Sequence, residues 1–163
     1  MERVQNVAVG RFSIEGIMYR YAEAIDSGDI ETVGMLFAKG QILMPDGGTL
    51  SGSAEIANHY ISIIRFFDAD EKEVDYVRLE TTPRTKHVIT NLQMEFNNAV
   101  DRAEVRSYFT VYQNLGGQND LVAGGRYEDV FELDLTGWHI AERSIYLDSP
   151  GDITRHLKTD FQS

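Results

Sequence analysis

Residues 14–26 read Ile14-Glu15-Gly16-Ile17-Met18-Tyr19-Arg20-Tyr21-Ala22-Glu23-Ala24-Ile25-Asp26, and residues 103–113 read Ala103-Glu104-Val105-Arg106-Ser107-Tyr108-Phe109-Thr110-Val111-Tyr112-Gln113. In the first stretch Ile14, Ile17, Met18, Tyr21 and Ile25 recur at i, i+3, i+4, i+7 and i+11, one buried stripe of a helix. Ser13 is its expected N-cap. In the second, Ala103, Val105, Phe109 and Val111 follow the alternating period of a half-buried strand. The chain thus opens with helix and continues with strand, and everything between and beyond follows that division.

Ser27-Gly28-Asp29 reads as a stop and a new cap. A short second stripe follows at Ile30, Val33, Leu36 and Phe37. Gln41–Met44 is a candidate strand, and Asp46-Gly47-Gly48 a turn. Ser53 is placed to cap a third helix with Ile56, Tyr60, Ile63, Ile64 and Phe67 on one face. Residues 68–82 are charged and unpatterned, a loop. Residues 86–96, 103–113, 121–133 and 138–147 read as strands. Gly116-Gly117 and Thr136-Gly137 serve as turns, and Gly124-Gly125 as a bulge or bend. Pro45, Pro83 and Pro150 sit between segments, and the tail after Pro150 reads as a short helix. Helices first, then an antiparallel run of strands, is the α+β pattern, with helices against one sheet face. By analogy, a strongly bent sheet wrapped by helices makes a cone with a pocket at its open end.

Length and composition bound the function. At 163 residues the chain is expected to form one domain with no linker. The absence of cysteine excludes thiol nucleophiles, disulfides, iron–sulfur clusters and Cys-ligated zinc. With 26 acidic against 15 basic residues, the net charge of −11 disfavours nucleic acid and anionic membranes as partners. No apolar run approaches a membrane span. The N-terminus lacks a secretory pattern, so cytoplasm is the expected location. His59, His87, His139 and His156 form no metal-ligand spacing, and neither a metal nor another cofactor is expected.

Three positions carry candidate chemistry. Asp26 ends the first helix beside its apolar stripe, with Tyr21 five residues earlier. Asp26 either caps the next turn or lines a site together with Tyr21. His87 opens the strand Thr85-Lys86-His87-Val88-Ile89-Thr90-Asn91-Leu92. Its parity is opposite to that of Leu92, Met94 and Phe96, so a shared inner face requires a bulge near residues 89–91. Arg143 lies on the last strand between Ala141 and Ile145. An arginine on an apolar face needs a carboxylate or an anionic substrate group.

These motifs together resemble the SnoaL-like branch of the nuclear-transport-factor-2-like superfamily. Tyr21-Ala22-Glu23-Ala24-Ile25-Asp26-Ser27-Gly28-Asp29 with Leu36-Phe37-Ala38 is similar to its first two helices. Thr85-Lys86-His87 with Thr90-Asn91-Leu92 resembles its His-bearing strand, and Trp138-His139-Ile140-Ala141-Glu142-Arg143 its last strand. The branch includes scytalone dehydratase, bile acid 7-alpha-dehydratase and hexachlorocyclohexane dehydrochlorinase. The resemblance implies an Asp26–His87 dyad, with Tyr21 and Arg143 as further catalytic residues. Tyr21 matches the tyrosine of the bile acid dehydratase; the dehydrochlorinase has lysine there, which puts chloride elimination in doubt.

The implied activity is a cofactor-independent, dehydratase-like lyase reaction on a small apolar, cyclic or aromatic substrate. Phe37, Tyr60, Phe67 and Tyr108 are the candidate substrate-lining residues, each equally readable as ordinary core. The resemblance also implies a homo-oligomer, a trimer rather than a dimer. Two other readings stay open: a non-catalytic partner like the beta subunits of ring-hydroxylating dioxygenases, and a polyketide-cyclase-like enzyme.

Overall fold

The computed structural model describes residues 1–44, 46–149 and 151–158. Pro45 and Pro150, read from the sequence as segment boundaries, lie outside the described residues. Helix α1 (Glu2–Asp26) is 25 residues long and buries Gly10, Ile14, Met18, Tyr21, Ala22, Ala24 and Ile25. It begins twelve residues before the expected start. Ser13 is not a cap; its hydroxyl donates to the Val9 carbonyl one turn back (3.0 Å). The extra turns expose Val4, Val9 and Phe12, so they carry no stripe that a sequence pattern could detect.

Helix α2 (Ile30–Leu36) is capped as expected by Asp29, whose side chain accepts from the Thr32 N–H. Strands β1 (Gln41–Leu43) and β2 (Thr49–Ser51) form a hairpin. Helix α3 (Gly52–Ile63) is capped at Ser51, two residues before the expected position, and the Ser51 N–H donates to Glu55 (2.8 Å). Phe67, expected on α3, instead lies in β3 (Phe66–Phe67). That strand pairs with β4 (Glu73–Val74) inside the stretch expected to be loop.

The large sheet completes with β5 (Thr85–Phe96), β6 (Arg102–Leu115), β7 (Gln118–Asp134) and β8 (Gly137–Leu147). Its order is β2-β1-β8-β7-β6-β5. The expected all-antiparallel sheet is corrected on one point: β1 runs parallel to β8, so the sheet is mixed. It is also open, because edge strands β2 and β5 do not meet. Between β1 and β8 the chain passes through β2, α3 and strands β3 to β7, ample length for the crossover that a parallel pair needs.

Three irregularities set which side chains face inward. Between Thr90 and Gln93 two residues of β5 oppose one of β6, and Asn91 takes a left-handed φ of 54°. This is the bulge that the parity of His87 demanded. It brings Thr85, His87 and Ile89 to the same face as Leu92, Met94 and Phe96. Val122 is the extra residue where β7 meets β6, and Ala141 where β8 meets β7. The paired glycines lie just beyond the Val122 bulge, in regular register with Phe109 and Thr110. A Cβ on Gly125 would come 1.9 Å from the Tyr146 carbonyl, so close strand approach explains that glycine.

Helix α1 crosses the concave face. Its N-terminal half meets Phe96 and Trp138 at Gly10, and its C-terminus meets the start of β5. The core between them contains Ile14, Met18, Ile25, Ile42, Val105 and Phe131. Because a β-branched side chain is strained at positive φ, Asn91→Val should destabilise the fold by about 1–2 kcal/mol. Asn91→Gly should be neutral or stabilising, as read from urea midpoints.

Candidate active site

Asp26 and His87 meet where the end of α1 reaches the start of β5. The Asp26 carboxylate accepts three hydrogen bonds. They come from the Thr85 hydroxyl (2.8 Å), the His87 backbone N–H (2.8 Å) and the His87 ring Nδ1 (2.6 Å). Both side chains are more than nine-tenths buried. Burial works against ionisation of Asp26. The His87 hydrogen bonds, the His87 charge and the Thr85 hydroxyl outweigh it, and the carboxyl stays below its ordinary value. Asp26 is therefore a carboxylate that fixes the His87 ring through Nδ1 and leaves Nε2 for other contacts.

His87 forms part of the wall of an apolar cavity of about 90 Å³, counted as the space available to the centre of a water molecule. The rest of the wall is largely aliphatic and aromatic, including Ile25, Met44, Phe109 and Leu147. On its other side His87 borders an outer groove shared with Tyr19, Glu23, Asp26 and Lys86. The dyad therefore separates an apolar interior from a polar exterior.

Tyr21 and Tyr60 line the cavity, and their hydroxyls hydrogen-bond to each other at 2.8 Å. Tyr127 stacks on Phe109 at 4.4 Å and meets Tyr21 edge-on. Burial, aided by the neighbouring Tyr21, pushes the Tyr60 and Tyr127 phenols well above their ordinary values. Both are neutral hydroxyls at any physiological pH.

Arg143 is placed differently from its expected role. It is fully buried, and its guanidinium forms a two-pronged pair with Asp129, Nε to Oδ1 and Nη2 to Oδ2, both 2.8 Å. Register puts Asp129 directly opposite it on β7. The guanidinium carbon lies 4.3 Å from the Tyr21 ring centre and 4.2 Å from that of Tyr127. The Ala141 bulge makes Ile140, not Ala141, its inward neighbour along the strand. Burial opposes the Arg143 charge, but Asp129 more than offsets this and holds its pKa above the ordinary value. Burial likewise pushes the Asp129 carboxyl up while the guanidinium pulls it back, and the fork geometry is that of an ionised pair. Arg143 supports the Tyr21 ring from behind and does not line the cavity.

Of the four expected lining residues only Tyr60 reaches the cavity. Phe37 is core, edge-on to Tyr21 at 6.0 Å. Phe67 is buried in β3, and its backbone pairs with Thr82. Tyr108 is 55% exposed on the outer sheet face. Its alternation with Val105, Phe109 and Val111 already carried that parity.

Sequence reasoning also missed His156. It follows a 3-10 turn (Ile153–Arg155), is 5% exposed, and lines the cavity with its ring 5.9 Å from that of His87. No local pattern marks a cavity residue in a short tail. His59 and His139 do not line the cavity. Among the described residues no three His, Asp or Glu side chains are arranged to hold a metal ion. No described helix is long and apolar enough to cross a membrane.

The fold belongs to a known class. A profile of the SnoaL-like domain matches residues 11–144, and the chain belongs to that family, within the NTF2-like superfamily. Solved structures share the fold at low identity. An NTF2-like protein with a cystatin-like fold from Novosphingobium aromaticivorans is 20% identical, with TM-score 0.69, covering 94% of this chain and 91% of that one. The hexachlorocyclohexane dehydrochlorinase LinA-type3 from Novosphingobium barchaimii is 16% identical, with TM-score 0.65 and coverage of 90% and 92%. A variant of Rv3472, a protein of unknown function from Mycobacterium tuberculosis, is 21% identical, with TM-score 0.67 and coverage of 89% and 75%. No curated protein matches the sequence.

Two outcomes follow from the buried charges. Arg143→Met strands the Asp129 carboxylate and should cost about 3–5 kcal/mol in chemical denaturation, while the double variant Arg143→Met, Asp129→Leu should recover much of it. Burial and the nearby His87 charge hold His156 down to about 3, against about 6.5 when unfolded. The unfolded chain takes up that proton first, so this contribution is complete above the unfolded value and is lost as pH falls toward 3. Urea titrations between those limits should show His156→Phe losing about one proton's worth of the slope. Loss of the Asp26 contribution belongs below its unfolded value of 3.8.

Proposed function

We propose that this protein is a cofactor-independent lyase of the dehydratase kind, acting on a compact cyclic or aromatic carbonyl compound. The observation that carries the reading is the 2.6 Å contact between Asp26 and His87 Nδ1 at the wall of an apolar cavity. With Nδ1–H donated to Asp26, Nε2 is the ring nitrogen of His87 that can accept a proton. A neutral imidazole is a suitable base near pH 7, and the carboxylate stabilises the imidazolium it becomes.

The reaction is an elimination. His87 takes the proton from the carbon beside the carbonyl, and the electrons of that C–H bond form the new double bond. The bond to the leaving hydroxyl breaks on the next carbon. The hydroxyl departs as water with a proton returned from His87, and no electron acceptor is needed. The apolar wall strengthens these charge interactions by keeping water out. The hydroxyls of Tyr21 and Tyr60 are placed to contact a substrate oxygen. Arg143 acts as a positioning residue, through the Tyr21 ring.

The test is a panel of small cyclic ketones with a hydroxyl or halogen on the carbon beyond the alpha position, followed by the ultraviolet absorbance of the conjugated product. His87→Ala and Asp26→Asn should each lower kcat/KM by roughly 10²–10⁴-fold with unchanged far-ultraviolet circular dichroism. Undiminished turnover by His87→Ala, or no turnover of any member by the wild type, overturns the reading.

A further inference from the structure

We propose that His156 is a third substrate-contacting group of this site, holding the carbonyl oxygen of the substrate while His87 takes the adjacent proton. The inference rests on the reading of the cavity as the site of a carbonyl compound. It goes beyond that reading by assigning the oxygen to one residue outside the sheet and helices.

Three other polar side chains of the cavity wall have hydrogen-bond partners within the protein. His87 is tied to Asp26, and the Tyr21 and Tyr60 hydroxyls are tied to each other. His156 differs: its Nδ1 is buried with no hydrogen-bond partner among the described residues. A buried polar nitrogen without a partner is destabilising. At the wall of a cavity, a substrate oxygen can supply the missing partner. Burial and the neighbouring His87 charge keep the ring neutral. A neutral imidazole can donate N–H to an oxygen without competing with His87 as the proton acceptor.

The backbone that carries the ring is also held in place before any ligand arrives. The Arg65 N–H donates to the His156 carbonyl (2.9 Å), and the Arg65 side chain donates to the Thr154 carbonyl (2.8 Å). Lys158 N–H donates to the Ile63 carbonyl (2.7 Å), and the Gln113 side chain donates to the Arg155 carbonyl (3.1 Å). The end of α3 and strand β6 thereby pin the tail around His156. The two imidazoles meet nearly edge-on, 67° between planes at 5.9 Å. That spacing lets them contact neighbouring atoms of one small ring. Pre-set donors aimed at developing negative charge are the usual source of stabilisation for an enolate-like oxygen.

The probe is carbonyl-labelled cyclohexanone, bound to the whole chain and read by its infrared carbonyl stretch and by titration. In the wild type the stretch should fall below its value in an apolar solvent. His156→Phe should weaken binding by about tenfold or more and return the stretch to the apolar value. His156→Gln should restore part of the downshift. His87→Gln should abolish elimination yet keep the downshift. Unchanged affinity and stretch in a folded His156→Phe overturn this inference alone. Should that variant not fold, the His156 ring nitrogen resonances of the wild type decide: a shift on saturation with cyclohexanone supports the proposal, and none overturns it. Failure of cyclohexanone to bind the wild type overturns the carbonyl reading of the cavity together with this inference.

Discussion

The Asp26 carboxylate is the interaction on which the site is built. One side chain at the last residue of α1 accepts from a threonine hydroxyl, a backbone N–H and an imidazole, all at the start of β5. It therefore joins the longest of the described helices to an edge strand of the sheet. Helix and sheet must close on each other there, and the His87 ring is held at their junction. Charge-assisted hydrogen bonds of this kind are roughly twice as strong as neutral ones. They explain how an ionised group persists at more than nine-tenths burial.

Behind this clamp is a second charged device with a different purpose. The Arg143–Asp129 pair is wholly inside the protein, sandwiched against Tyr21 and Tyr127. A buried ion pair is a weak source of net stability, because desolvation offsets most of the attraction. Its effect is one of placement. The guanidinium plane fixes two phenol rings at the cavity wall, and Met18 of α1 accepts a further bond from it. The cavity thus has a rigid polar support beneath an apolar surface.

Much of this was legible before any coordinates. The helical stripe from Ile14 to Ile25 survives as the buried face of α1, and the Asp29 cap is where the sequence put it. The parity conflict between His87 and Leu92 required a bulge, and Asn91, a residue tolerant of positive φ, supplies it. Other features were hidden because their causes are not local. Arg143 faces a carboxylate fourteen residues away only because β7 and β8 pair in one register. Phe67 leaves its helical pattern because Ile64 ends α3 and the chain turns into a ribbon. Tyr108 was legible in the strand alternation, and its period placed it outside.

By itself the sequence determined the class of the architecture, helices before strands, and the residues able to carry acid–base chemistry in a chain without cysteine. Periodicity and capping are local, so they survive whatever the rest of the chain does. The tertiary structure decided which of those residues meet. It brought Asp26 to His87, withdrew Arg143 behind Tyr21, ran β1 parallel to β8, and laid His156 from the tail across the cavity. Each of these depends on sheet register and long-range packing, which no window of neighbouring residues encodes.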